Sequence, residues 1–202
     1  MFESIYWTVV KVEMRVFISG LFYLVLLTFN GLSIANPLVD AAKDRLKHVV
    51  IYDGSYQSIA YPMGDVAANK GVCTDVIIRS YRALGIDLQQ LVHEDMDKHF
   101  GLYPKIWGLN KPDSNIDHRR VPNLEVFFKR FGVALPITQN PRDYQPGDIV
   151  SWRLSGNNRP HIGIVSDQKA ASGNYEIIHN IGWGVRSEDM LFKHPITGHY
   201  RY

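Results

Sequence analysis

A single cysteine, Cys73, is all the thiol this 202-residue sequence has, so no internal disulfide can form and cysteine-rich zinc sites are excluded. Net charge is also scarce. The 22 basic and 20 acidic residues leave +2, spread along the chain. The one dense basic group, His118-Arg119-Arg120, is too short for a polyphosphate-binding stripe, so no nucleic-acid partner is expected. No His-x-x-x-His pair falls on a predicted helix, and His194 and His199 flank Pro195 without an acid close in sequence, so no metal site is expected. No glycine-rich phosphate loop, internal repeat or low-complexity segment occurs, and no cofactor is implied.

The apolar stretch Val16 to Phe29 is short against the roughly 20 residues a bilayer core needs. Arg15 precedes it and Ser33-Ile34-Ala35 follows, the basic, apolar, small-residue order of a secretory signal. Residues 1–35 are therefore expected to be a cleavable leader. Glu3 and Glu13 are out of place in it, which points to Met14 as the true start. No cysteine lies near the cleavage site, so a lipid-anchored product is excluded. The mature chain, residues 36–202, is expected to be periplasmic or secreted, as one domain with no stable membrane span. In an oxidising compartment a lone thiol is either buried as a small hydrophobe or used in chemistry.

Helical spacing runs from Leu38 to Val50, from Cys73 to Leu84 with Gly85 at its end, and from Leu88 to Phe100. A shorter helix is expected over Asn123 to Phe131, after an ordered loop from Tyr103 to Val121. Then the period changes. Pro146-Gly147-Asp148 turns into a strand at Ile149 to Trp152, and Asn157-Asn158 turns back into His161 to Val165. Ser172-Gly173-Asn174 leads to Tyr175 to His179, and Gly198 to Tyr202 can close the sheet. Helices first and strands after give an α+β fold with an antiparallel sheet.

Thiol catalysis needs a thiolate, an imidazole in reach and a polar group that orients the imidazole. Cys73 opens a helix, where the backbone dipole favours a thiolate, so a depressed thiol pKa is expected. His161 begins a strand, with Gly163 leaving room on its side of the strand two residues on. His179 ends the next strand, a neighbour of His161 if the two pair, and Asn180 is the other candidate for the orienting role. Asp75 either orients a partner or stabilises the helix start. The Asp117-His118-Arg119-Arg120 run either binds a carboxylate-rich substrate or holds its loop on the core. Tyr52, Tyr56, Trp107 and Trp183 read as core or rim aromatics.

The runs Gly71-Val72-Cys73-Thr74-Asp75-Val76, Gln145-Pro146-Gly147-Asp148-Ile149-Val150, His161-Ile162-Gly163-Ile164-Val165 and Ile178-His179-Asn180 resemble the NlpC-type branch of the papain-like superfamily. The resemblance implies a helix that starts at the cysteine, packed on a C-terminal antiparallel sheet. It implies hydrolysis of an amide bond in peptidoglycan stem peptides or a related peptide, with Cys73, His161 and His179 catalytic. Tyr61 resembles the tyrosine that often precedes the cysteine in that branch. Tyr61, Asp75, Asp117, Arg119 and Asn180 are the substrate-binding candidates. Two departures stand out: Val72-Cys73-Thr74-Asp75 replaces the usual Asp-Cys-Ser-Gly, and a helical and loop insertion around residues 88–140 widens the gap from Cys73 to His161. More closely, Ala41 to Tyr202 resembles a bacterial family known as a domain of unknown function, DUF1287. Its markers include Asn115-Ile116-Asp117-His118-Arg119-Arg120-Val121-Pro122-Asn123-Leu124, His179-Asn180-Ile181-Gly182 and Ile196-Thr197-Gly198-His199-Tyr200. A non-catalytic envelope binding module and a secreted effector with the same chemistry are the alternatives.

Overall fold

The computed structural model describes residues 35–202, so the expected leader lies outside the described residues. Helix α1 (Pro37–Arg45) starts where Asn36 accepts hydrogen bonds from the amides of Leu38 and Val39, with proline supplying the first helical position. It stops short of the expected Val50. The β-branched run Val49-Val50-Ile51 goes extended instead, and strand β1 (Ile51–Tyr52) pairs in parallel with β2 (Lys70–Gly71). That pairing delivers the chain to Cys73.

Helix α2 (Cys73–Arg82) has no polar side chain at its cap position, Val72. Asp75 substitutes by reaching back to the Val72 amide at 2.7 Å. Its buried residues include Val76, Ile77, Ile78 and Tyr81, and Gly85, at φ +79°, turns the chain toward α3 (Leu88–His99). Asp87 caps α3 by accepting from Gln89. The expected loop contains one 3-10 turn, Asp117–Arg119, which leads directly into α4 (Val121–Phe131).

The remaining elements are β3 (Val133–Ala134), β4 (Ile149–Arg153), β5 (Pro160–Lys169), β6 (Tyr175–Asn180), β7 (Val185–Glu188) and β8 (Ile196–Arg201). They form one antiparallel sheet in the order β3-β8-β4-β5-β6-β7. The architecture is α+β. Ile149, Ile162, Ile164, Ile178 and Tyr200 share a core with Val76, Ile77, Phe127 and Phe128 of the helices. Val150, Trp152, Val165 and Ile177 pack with Tyr144, Met190 and Leu191 in a second core. Alternation along the strands places the two cores on opposite faces of the sheet.

The Pro-Gly-Asp turn is a structural device. Gly147 takes φ +90°, and buried Asp148 accepts from the Gln145 amide, His199 Nε2 and the guanidinium of Arg201, tying β4 to β8. His199 thus has an acidic partner that sequence proximity did not reveal. Among the described residues no helix is long and apolar enough to cross a membrane.

Candidate functional site

Antiparallel pairing of β5 with β6 and β6 with β7 builds a row of three polar side chains. His161 Nε2 and His179 Nδ1 lie 2.9 Å apart, and His179 Nε2 lies 3.2 Å from Glu188 Oε2. Both histidines are 1% exposed. Burial lowers both imidazole pKa values, that of His161 to about 3, so both rings are neutral at ordinary pH.

Neutral rings leave one consistent proton arrangement. The Glu188 carboxylate only accepts, so His179 carries its proton on Nε2 and donates to it. His179 Nδ1 is then a lone pair, which takes the proton on His161 Nε2. His161 Nδ1 is left as a bare acceptor, with no hydrogen-bond partner among the described residues. The row therefore fixes which nitrogen of His161 is basic.

Gly163 makes the row possible. A Cβ there would stand 3.2 Å from the Cβ of His179 and 3.1 Å from the Ile178 carbonyl, and would run into Ile177. The room expected beside His161 is present, and it is filled by the neighbouring strand.

Cys73 is buried at 5% exposure, and the backbone N–H groups of Ile162, Thr74 and Cys73 itself lie close enough to favour its thiolate. The thiol lies near the peptide that joins His161 to Ile162, and among the described residues no hydrogen bond joins its sulfur to the His161 ring. The depressed thiol pKa expected from helix position is overturned. Burial outweighs the amides, and the thiol is pushed up to about 12. Position at a helix start is visible in sequence; desolvation is not.

The other candidates separate. Asp75 accepts two hydrogen bonds from Arg119 at 2.9 Å each, both side chains buried, and Arg119 also donates to the carbonyls of Ser55 and Asp53. These residues clamp α2, the loop after β1 and the 3-10 turn together. Asn180 donates to the Gly71 carbonyl and accepts from Gly182, pinning the end of β6 to β2; His179, not Asn180, holds His161. Asp117 is fully buried and receives the Asp113 amide, and its Oδ1 has no hydrogen-bond partner but faces the Arg120 guanidinium at 4.0 Å; burial raises its pKa. Tyr61 packs edge-on to His93 at 5.1 Å, and the charges it feels are Glu94, Asp87 and Asp97. The tyrosine that feels Cys73 is Tyr52, its phenol raised by burial and then by the nearby Cys73.

A cavity of about 380 Å³ opens beside His161, between Tyr52, Ile181, His194 and the turn before β5. Glu188 and Tyr52 are the members of the site that sequence reasoning missed. Tyr52 read only as a rim aromatic. For Glu188 the available signal was the pair of glycines at 182 and 184, which mark a hairpin returning a strand alongside His179. Among the described residues, no group of three histidine, cysteine, aspartate or glutamate side chains converges as a metal site.

A model of the family described as "Domain of unknown function (DUF1287)" matches residues 39–202. "Uncharacterized protein YijF" of Escherichia coli (strain K12) is 53% identical over 165 residues, spanning 82% of this chain and 80% of that protein.

Proposed function

The chain belongs to the DUF1287 family, and on that footing we propose that it is an exported thiol hydrolase cleaving an amide bond in peptidoglycan stem peptides or a related envelope peptide. The observation that carries this reading is the His161–His179–Glu188 row, which leaves a basic Nδ1 on the residue before Ile162, whose backbone N–H lies near the Cys73 thiol.

In this reading His161 Nδ1 takes the thiol proton as Sγ adds to the substrate carbonyl. Burial disfavours either charge alone, but the transfer makes thiolate and imidazolium together, and their attraction in a dry site offsets part of each desolvation. The N–H of Cys73 at the start of α2 donates to the oxyanion. As the tetrahedral adduct collapses, His161 returns the proton to the leaving amine and a thioester remains. Water then adds with its proton going to His161, and the thiolate leaves and is reprotonated, giving acid, amine and free enzyme. His179 and Glu188 hold the tautomer throughout.

The likeness to the NlpC-type branch of the papain-like superfamily belongs to the same proposal. It is supported by a helix that starts at the cysteine, a Pro-Gly-Asp turn into β4, a histidine opening β5 and a polar residue ending β6. Export of residues 36–202 to the periplasm or beyond, through a leader at residues 1–35, is a further part of it, with residues 88–140 as the insertion and no lasting membrane span. A secreted effector would use the same chemistry elsewhere. One observation favours a second reading, a non-catalytic binding module: the neutral, deeply buried thiol.

Incubating residues 36–202 with purified peptidoglycan and weighing the soluble fragments separates the two. A hydrolase releases fragments ending at a cut amide bond, and Cys73→Ala releases none. A binding module retains peptidoglycan and releases nothing in either form.

A further inference from the structure

The turn between β4 and β5 fixes the backbone at Arg159. Gly156 (φ +95°) and Asn158 (φ +53°) take left-handed conformations that glycine and asparagine tolerate. The Leu154 amide donates to the Arg159 carbonyl at 2.9 Å, and the Arg159 amide donates to Asn157 Oδ1 at 3.0 Å. The backbone of Arg159, a residue exposed to solvent, is thereby fixed two residues before His161, and residues two apart on an extended chain point to one side. Both line the cavity beside the site.

That cavity is lopsided in charge. Arg159 and His194 line it, and no aspartate or glutamate does. Among the described residues, the Arg159 guanidinium has no hydrogen-bond or ion-pair partner. Its charge nevertheless reaches the cavity wall: the Tyr52 phenol, raised by burial and by Cys73, is lowered by Arg159. His194 adds a directed donor. Its Nδ1 accepts from the Ser155 amide at 3.2 Å, so the neutral ring carries its proton on Nε2. Burial and then the Lys193 charge lower its pKa and keep it neutral.

We infer that this cavity is a carboxylate subsite in which Arg159 is the anchoring residue, so that the preferred substrates carry a free carboxylate beside the scissile amide. A guanidinium fork meets a carboxylate through two parallel hydrogen bonds, and an arginine without an internal acid keeps that capacity for a ligand. The volume, about 380 Å³, falls within the range of ligand pockets and leaves room for a carboxylate. The inference rests on the hydrolase reading for its scissile bond, but its binding chemistry is testable without turnover.

Two reagents of nearly equal size provide the test. Iodoacetate carries a carboxylate and iodoacetamide a neutral amide, and both alkylate a thiol. Their rates at Cys73 are measured at pH 8.5 by intact mass, for the wild type and Arg159→Gln, with glutathione as the reference thiol. Taking the ratio of the two rates cancels the ionisation of the thiol. The expected wild-type ratio, iodoacetate over iodoacetamide, is at least about tenfold above that of glutathione, and about 0.5 M salt reduces it. In Arg159→Gln it falls to within about twofold of glutathione, an effect the size of a single charge-assisted pairing. A wild-type ratio equal to that of glutathione, or one unchanged in Arg159→Gln, overturns the inference. A low ratio in a protein that cuts peptidoglycan sinks the subsite alone. A high ratio in a protein that cuts nothing sinks the hydrolase reading alone. No labelling of the folded chain by either reagent overturns both.

Discussion

Each residue of the row has its own expected cost. His179 fixes the tautomer of His161 from a fully buried position, so His179→Ala should slow fragment release from peptidoglycan by about 100-fold. Glu188 is 39% exposed, and water can take part of its place, so Glu188→Ala should cost nearer tenfold. Equal losses for the two, or none for His179→Ala, would contradict the proton arrangement drawn from the row. A lowered rate with an unchanged pH profile in Glu188→Ala would also count against it, because the carboxylate is what biases the two rings. Cys73, His161 and His179 stood out as candidates in the sequence because each sits at or next to an element boundary: a helix start, a strand start and a strand end. Glu188 was not, since a four-residue polar strand behind two glycines carries no hydrophobic alternation. The sign of the Cys73 shift was missed for a related reason. A dipole follows from position in a helix, whereas desolvation depends on residues far away in the chain, here the core that packs around Cys73.

Among elements, α2 is held at its start by the buried Asp75–Arg119 pair, and this clamp sets where the thiol sits. Removing one partner strands the other charge in the interior. Asp75→Asn or Arg119→Met should each lower stability by about 3–5 kcal/mol in urea unfolding, with the double variant losing clearly less than the sum. Additive losses would show that the two side chains do not act as a pair. Strand β5 offers a second test, because Gly163 lies against Ile177 and His179 and its added Cβ has no space. Gly163→Ala should cost about 1–3 kcal/mol and move His161 relative to His179. A neutral effect would mean that β5 and β6 have slack between them in solution. The long periodic elements, α2, α3 and α4, and the four main strands were legible within a few residues. The two-residue strands β1, β2 and β3 were not, because pairing over so short a run is decided by tertiary partners. The same partners end α1 early, since Ile51 is committed to the Asn69 carbonyl.

At the scale of the whole molecule, the α+β class was readable from the change of period near Gln145, and the cover on both sheet faces was not. The strand that carries His161 also carries the apolar residues of both cores, so folding and site formation are one event. Acid should therefore unfold the protein early. Burial lowers the pKa of His118 to about 4 and of His161 to about 3, while an unfolded chain protonates both near 6.5. As pH falls below about 6.5 the unfolded state takes up protons that the folded state refuses, and stability drops by ~1.4 kcal/mol per ring per pH unit. The loss continues to about pH 4 for His118 and to about pH 3 for His161. Urea midpoints at pH 7.5, 6 and 5 should fall steadily, and more shallowly in His118→Gln; a flat profile would contradict the buried neutral rings. The fold brings Cys73 from the helical front of the chain into the core beside Ile162, and a thiol–imidazole contact with the neighbouring His161 is the proposal on which the chemistry depends. A crystal structure of residues 36–202 tests it most directly, with the distance between Cys73 Sγ and His161 Nδ1 as the single measurement. The expected value is within about 4 Å, with Nε2 still on His179. An imidazole whose Nδ1 faces away from the sulfur would contradict the thiol hydrolase, whatever the family resemblance.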